Sequence, residues 1–392
     1  MIEYDPFSDT VMRDPWPYYA ELRERAPVFY FEKYDTWFLS RFEDIWASTT
    51  NDLFSAERGV TPEMVLLKAA PPPDPVFSML DMPRQRPYRR LLSAPYTRRA
   101  VAGLEEKIRS AVRAKLAPLL EAGSFDVYRD LANPIATEII GEVIGLPEGE
   151  TLPLRGTIKR YFARVPGQVG TTPEADQLRI ETLTRFGEIV EERSKSLDPD
   201  AEDHISVMLR ARIDGEPLDV GAIVAAIYTM LVTGAEVVPL AVANTVQYLW
   251  QHPDQRSEVV ADPSKVPEAF AESLRYDQPT NLLGRFVKDD VEMRGQTLRT
   301  GQGVMFLWAS GNRDENEFER ADVFDISRRP RRSLSYGHGI HKCIGEHLGN
   351  IEGRVILEEL LAAAPKYQVD TDHTERAYSE FLHGYHKMPI RV

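Results

Sequence analysis

From Ala222 to Trp250 the chain runs for 29 residues with a single charged side chain, Glu236. As a helix such a run spans roughly 43 Å at 1.5 Å per residue, long enough to cross a bilayer. Its composition argues against that use. Glu236 sits near the middle, with Pro239, Asn244 and several threonines around it, and a carboxylate at mid-membrane costs roughly 2.5–3.5 kcal/mol. A helix apolar on every side is also what the centre of a large soluble protein requires. The segment therefore predicts a buried central helix with the remaining chain packed around it. With 392 residues there is enough chain to do so, and the 1–392 span reads as a single domain. The opening MIEYDPFSDTVMRDPWPYY has charges and prolines from the start and no basic-then-apolar signal pattern, so a cytoplasmic protein is expected.

The rest of the pattern is mostly helical. Apolar residues recur at three-to-four spacing over 15–30, 101–123, 174–197, 266–276 and 347–364, as in helices packed by one face. Short β-like runs occur at Val28–Phe31, Trp37–Ser40 and Val304–Leu307. The expected class is mainly α with a smaller β-rich region. Between Thr61 and Pro75 five prolines stand among apolar residues, which predicts an irregular loop. An apolar loop either packs as a plain cover or lies over a pocket.

Net charge and cysteine count exclude several functions. A formal charge of −14 disfavours a nucleic-acid groove. One cysteine, Cys343, rules out internal disulfides, redox cysteine pairs, all-cysteine zinc sites and iron–sulfur clusters. A lone cysteine is often a small buried hydrophobe. Here it lies in Tyr336-Gly337-His338-Gly339-Ile340-His341-Lys342-Cys343-Ile344-Gly345. Three glycines in ten residues imply a tight loop where backbone approaches another group closely. A helical pattern follows at once, so the thiol lies near a helix N-terminus and beside cations, both of which favour thiolate.

This decapeptide resembles the haem-binding loop of the cytochrome P450 family. Glu272-Ser273-Leu274-Arg275 resembles its Glu-x-x-Arg, and Asn312-Arg313-Asp314 with Phe324-Asp325 its meander approach. Phe381-Leu382-His383-Gly384 is similar to the closing turn of soluble bacterial members. The resemblance implies the triangular-prism fold, haem b as cofactor and Cys343 as the iron ligand, with Gly345 holding the sulfur and Gly337 and Gly339 leaving room for the porphyrin. It implies Gln85, Arg89, Arg285 and His341 as partners of the haem propionates, Tyr336 where relatives carry Phe, and Glu272–Arg275 as a structural ion pair. Relatives often complete that pair with an arginine where Val323 stands here.

Thr233-Gly234-Ala235-Glu236-Val237, in the long apolar run, resembles the family's oxygen-activation segment. Gly234 is then expected to let O2 and substrate approach the backbone. Glu236 is expected either to relay protons or to form a salt bridge. Pro239 leaves the Ala235 carbonyl without its usual partner. Val237 departs from the family, whose threonine hydroxyl orients a catalytic water; a water or substrate hydroxyl must substitute, or reduced oxygen leaks as peroxide. The implied activity is monooxygenation of a hydrophobic small organic substrate by O2, with electrons from a ferredoxin and its reductase. The alternative is a peroxide-driven or substrate-assisted enzyme. No nucleic acid or membrane partner is implied.

Two arginine-rich windows stand out from the acidic chain. Arg84, Arg86, Arg89, Arg90, Arg98 and Arg99 form one; Arg328, Arg329, Arg331, Arg332 and Lys342 form the other, and neither contains an acid between its ends. They are expected to serve haem binding and the docking of an acidic ferredoxin. The expected substrate-facing positions are Thr229, Val232, Thr233, Thr280, Leu282 and Phe381, with Met64, Val65, Leu66, Phe77 and Phe162 adding apolar surface.

Overall fold

Helices form where the 3.6-residue pattern runs unbroken, and capping residues set their limits. In chain order the main ones are α1 Trp16–Arg25, α2 Gln85–Leu92, α3 Glu105–Ala122, α4 Asn133–Ile144, α5 Thr151–Tyr161, α6 Pro173–Lys195, α7 Val220–Gln251, α8 Val266–Tyr276 and α9 Glu346–Ala363. The structure, a computed structural model, describes residues 2–74 and 76–392, with the side chains of Leu152, Arg155 and Gly156 left aside.

The apolar run is α7, the central helix. Its 32 residues begin at an Asp219 cap whose carboxylate accepts the Gly221 N–H at 2.8 Å. It packs against α4, α6, α8 and α9. The helix is long and apolar enough to cross a membrane, yet 67% of its most apolar window is buried by other parts of this chain. Pro239 lies inside it without ending it. The carbonyl of Ala235 accepts instead from Asn133 Nδ2 at 3.1 Å, so a side chain from α4 replaces the missing backbone donor.

Five strands, β1 Val28–Phe31, β2 Thr36–Leu39, β3 Phe54–Ser55, β4 Leu283–Val287 and β5 Gly303–Phe306, form one sheet in the order β1-β2-β5-β4-β3. β5 runs parallel to β2, with Val304 opposite Trp37, and antiparallel to β4. Alternation divides its side chains between two cores. Phe38, Phe286 and Met305 pack with Tyr4, Tyr19 and Leu22, whereas Trp37, Leu39, Val304 and Phe306 pack with Phe42 and Trp308. Both faces are therefore covered, which suits the nearly unbroken apolar character of these strands.

Two expectations need correction. The 15–30 helix stops at Arg25, because the chain turns at Ala26 and enters β1 at Val28. The proline-rich 61–75 segment is not wholly irregular: Pro62 starts a one-turn helix, Pro62–Leu66, that buries Val65 and Leu66. Pro75 lies outside the described residues.

Candidate active site

Cys343 ends a loop that feeds α9 at Glu346. Its own N–H donates to the Tyr336 carbonyl at 2.8 Å, and the Gly345 N–H donates to the sulfur. The sulfur is deep among protein atoms, but its side chain faces open space. Burial pushes the thiol's pKa up, while the Gly345 N–H, Arg89 and Lys342 pull it down. Gly337, at φ +67°, also faces open space, since a side chain there would meet nothing within 4 Å. Gly339, at φ +72°, is required for another reason: a Cβ there would collide with the Thr49 carbonyl. Of the two glycines only Gly337 borders open space. On the far side of the loop His338 stacks on Trp46, with ring centroids 3.5 Å apart.

Around this space stand donors with no directly paired carboxylate among the described residues, Asp81 acting on Arg285 and His341 only from a distance. Arg285 is buried, and among the described residues its guanidinium hydrogen-bonds only to the adjacent Gly284 carbonyl, at 2.7 Å. Burial lowers its pKa to about 10. His341 Nδ1 is buried with no partner, and burial with Arg285 and Arg89 nearby lowers this imidazole to about 3. Arg89 donates to the Lys342 carbonyl. Among the described residues no carboxylate pairs with Arg89, Arg285 or His341. Buried cations are ordinarily compensated, so a ligand with two carboxylates supplies what the fold omits. Open space before a lone thiolate ligand, flanked by such donors, fits haem.

Gln85 is 2% exposed, and its amide donates to the Ile340 carbonyl at 2.9 Å. It holds the cysteine loop in place. Tyr336 donates its hydroxyl to Asn350 Oδ1 at 2.7 Å.

On α7, the half-open residues Ala225, Thr229 and Val237 and the exposed Thr233 repeat every fourth position, whereas most neighbours are buried. This stripe is accessible, whereas the next residue, Val238, packs on α9, 3.3 Å from where a Cβ on Gly349 would lie. Val237 and Thr233 are therefore on the open face. Thr233 Oγ1 donates back to the Thr229 carbonyl at 2.8 Å. Gly234 faces elsewhere: a Cβ there would come within 2.7 Å of Ile140 Cγ1 on α4. Helix packing, not gas or substrate access, requires that glycine. Glu236 is 3% exposed and accepts from the Tyr128 hydroxyl. Desolvation raises its pKa to about 7, against the lowering pull of Tyr128 and Lys159. It has no salt-bridge partner among the described residues.

The expected substrate positions divide similarly. Thr280 and Phe381 are partly exposed, and Val232 is nearly buried beside Tyr161 and Tyr228. Leu282, one residue before β4, is fully buried with Phe38 and Tyr4 in the sheet core, which removes it from the pocket. Val65 and Leu66 occupy that core too.

A model of the family described as cytochrome P450 matches residues 174–378. The chain is 30% identical over 397 residues to the vitamin D(3) 25-hydroxylase of Pseudonocardia autotrophica, covering 100% of this chain and 96% of that one. It is 29% identical to cytochrome P450 130 of Mycobacterium tuberculosis, covering 97% and 95%. This chain belongs to the cytochrome P450 family. Among solved structures, CalO2 superposes with a TM-score of 0.88 at 28% identity, covering 100% and 99% of the two chains. A mutant of P450 EryK in complex with erythromycin B gives 0.87 at 26%, covering 97% of each. The protein is accordingly a haem-thiolate monooxygenase, acting with O2 on an organic substrate and holding haem b through a cysteine thiolate.

Within this P450, Glu272 and Arg275 form the expected buried pair, at 2.7 Å. The third member is Arg328, 3.2 Å from Glu272 Oε1. It takes the place expected at Val323, whose carbonyl instead accepts from Arg275 and Arg328. Sequence reasoning missed this role because Arg328 opens an arginine run that reads as surface. It also missed Tyr128 and Asn133, which carry no local signal for their contacts with α7.

Proposed function

We propose that this P450 hydroxylates a mainly hydrophobic small molecule in the cytoplasm, using electrons delivered by an acidic ferredoxin. The single observation that carries the reading is Cys343 facing open space beside the buried Arg285 and the buried His341 Nδ1, neither paired with a carboxylate among the described residues. Haem bound there supplies dioxygen binding and oxygen-atom transfer. Arg89, Arg285 and His341 hold its carboxylates, and the Gly345 N–H steadies the sulfur. Glu236 holds a proton at its carboxyl, with Tyr128 fixing its orientation. A group with pKa about 7 both accepts and releases protons near neutrality. Val237 contributes shape but no hydrogen bond, so a water or substrate hydroxyl completes the proton path.

Charge supports a docking site on one side only. Of the two basic windows, the second is largely neutralised, with Arg328, Arg329, Arg332 and Lys342 all in ion pairs. Arg86, Arg90, Arg98 and Arg99 are exposed and carry no ion pair among the described residues. On α2 the inward face holds Gln85 and Arg89 while Arg86 and Arg90 face out, which separates haem binding from partner attraction.

Ferrous–CO spectroscopy tests the ligation: the red-shifted thiolate band is expected in wild type and its loss in Cys343→Ala. The peroxide-driven alternative is favoured by Val237. Turnover with NADH, ferredoxin and reductase, compared with turnover on hydrogen peroxide, separates the two. Product formed per NADH is expected to rise in Val237→Thr, and equal tight coupling in both proteins sinks the assignment of Val237.

A further inference from the structure

Pro239 lies inside α7 and has no N–H to give the Ala235 carbonyl, four residues before it. Ala235 has no solvent exposure, and a buried carbonyl left unpaired is costly. Asn133 Nδ2 supplies the missing hydrogen bond at 3.1 Å. The repair has a second effect. The Ala235 carbonyl and the Glu236 N–H share one rigid peptide plane, so holding that oxygen also fixes the direction in which the Glu236 side chain leaves the helix.

That side chain meets a residue from the same stretch as Asn133. Its carboxyl accepts from the Tyr128 hydroxyl. Tyr128 and Asn133 are five residues apart, and the Asn133 N–H donates to the Tyr128 carbonyl, closing a π-turn over Val127–Ala132 just before α4. The wide turn matters. In an α-helix, residues five apart point about 140° away from each other, whereas a π-turn, with its longer hydrogen-bonded loop, brings them towards one face. Tyr128 is 2% exposed and Asn133 7%. Both reach α7 and grip adjacent groups there, Asn133 the carbonyl before Glu236 and Tyr128 the Glu236 carboxyl.

A helix carbonyl that loses its backbone partner is ordinarily satisfied by water or by another side chain. Water at this carbonyl would stand next to Glu236. Desolvation is the strongest influence on that carboxyl, ahead of the Tyr128 hydrogen bond and of Lys159 on α5. Asp126 and Arg129 act on Tyr128 with opposite signs. The dryness of the gap at Pro239 therefore decides how tightly Glu236 keeps its proton.

We propose that Asn133 is a positioning residue for proton delivery: it closes the gap that Pro239 leaves in α7, keeps water out of it and holds Glu236 on Tyr128. This rests on the reading of Glu236 as the proton holder. Infrared difference titration of the haem-loaded full chain tests it, through the protonated carboxyl band that is lost in Glu236→Gln. In wild type this band is expected to fade with a midpoint of about pH 7. In Asn133→Ala, water entering the gap should lower the midpoint by roughly one to two pH units. Pro239→Ala restores a backbone N–H opposite the Ala235 carbonyl. Asn133→Ala combined with Pro239→Ala should therefore return the midpoint to its wild-type value. If Glu236→Gln removes no such band, the proton-holder reading fails and the positioning role with it. A band that is present but unmoved in Asn133→Ala, or moved and not restored in the double variant, overturns the positioning role alone. Should Asn133→Ala fail to fold, the double variant decides. Folding with a wild-type midpoint supports the proposal, whereas a shifted midpoint or failure to fold refutes it.

Discussion

Glu236→Gln is expected to stabilise the protein at alkaline pH and to do little in acid. Glu236 has an ordinary value of 4.5, which burial raises to about 7 in the fold. The folded state thus binds its proton more tightly than the unfolded chain. Stability from this group is fully present below pH 4.5 and is lost as pH rises through 7. A shift from 4.5 to about 7, at roughly 1.4 kcal/mol per unit, amounts to about 3 kcal/mol above pH 7. At pH 5 the same linkage leaves less than about 1 kcal/mol. Glutamine keeps the oxygen that accepts from Tyr128 and never charges. Urea unfolding of the haem-loaded wild type and variant at pH 5 and pH 8 measures the difference. The two free-energy gaps should differ by about 2 kcal/mol in favour of the variant at pH 8. Equal gaps at both pH values refute the reasoning, because a purely steric effect carries no proton dependence. Tyr128→Phe removes a hydrogen bond that lowers the Glu236 value, so the pH at which its stability falls should move upward.

Gly234→Ala should cost about 1–3 kcal/mol through overpacking against Ile140, and Ile140→Ala in the same chain should recover much of it, read by urea midpoint. Glu272→Gln should cost about 3–5 kcal/mol, because Arg275, fully buried, then loses its counter-charge; the haem-loaded protein's denaturation midpoint checks this. Arg86→Glu with Arg90→Glu should slow association of an acidic ferredoxin roughly tenfold and weaken its salt dependence, whereas Arg332→Glu, already paired with Glu317 and Glu43, should do less. Stopped-flow reduction across ionic strengths separates them.

Much of the fold is legible because its strongest signals are self-contained. α7 is apolar all round, and no partner needs to be known to see that such a helix lies inside. The cysteine loop is legible for the same reason, with its glycines, thiol and following helix adjacent in the chain. What stays hidden depends on neighbours distant in sequence. Gly234 reads as access for O2 and substrate and Gly339 as room for the porphyrin, yet Ile140 and the Thr49 carbonyl are what they accommodate. Leu282 lies one residue before β4 and turns into the sheet core, a placement that sequence does not fix without the sheet. Arg328 carries a side chain that ordinarily seeks water, and only the fold shows it beside the buried Glu272.

The pairing of β2 with β5 has a consequence for how this chain comes to be folded. About two-thirds of the sequence lies between these adjacent parallel strands, and closing a loop of that size costs about 5 kcal/mol of chain entropy. During synthesis β1 and β2 can form a hairpin early, but its inner edge waits, unpaired and apolar, until Gly303–Phe306 arrives. Fragments ending before β5 therefore expose a strand edge made for pairing, and they are the species in which aggregation of this protein should begin.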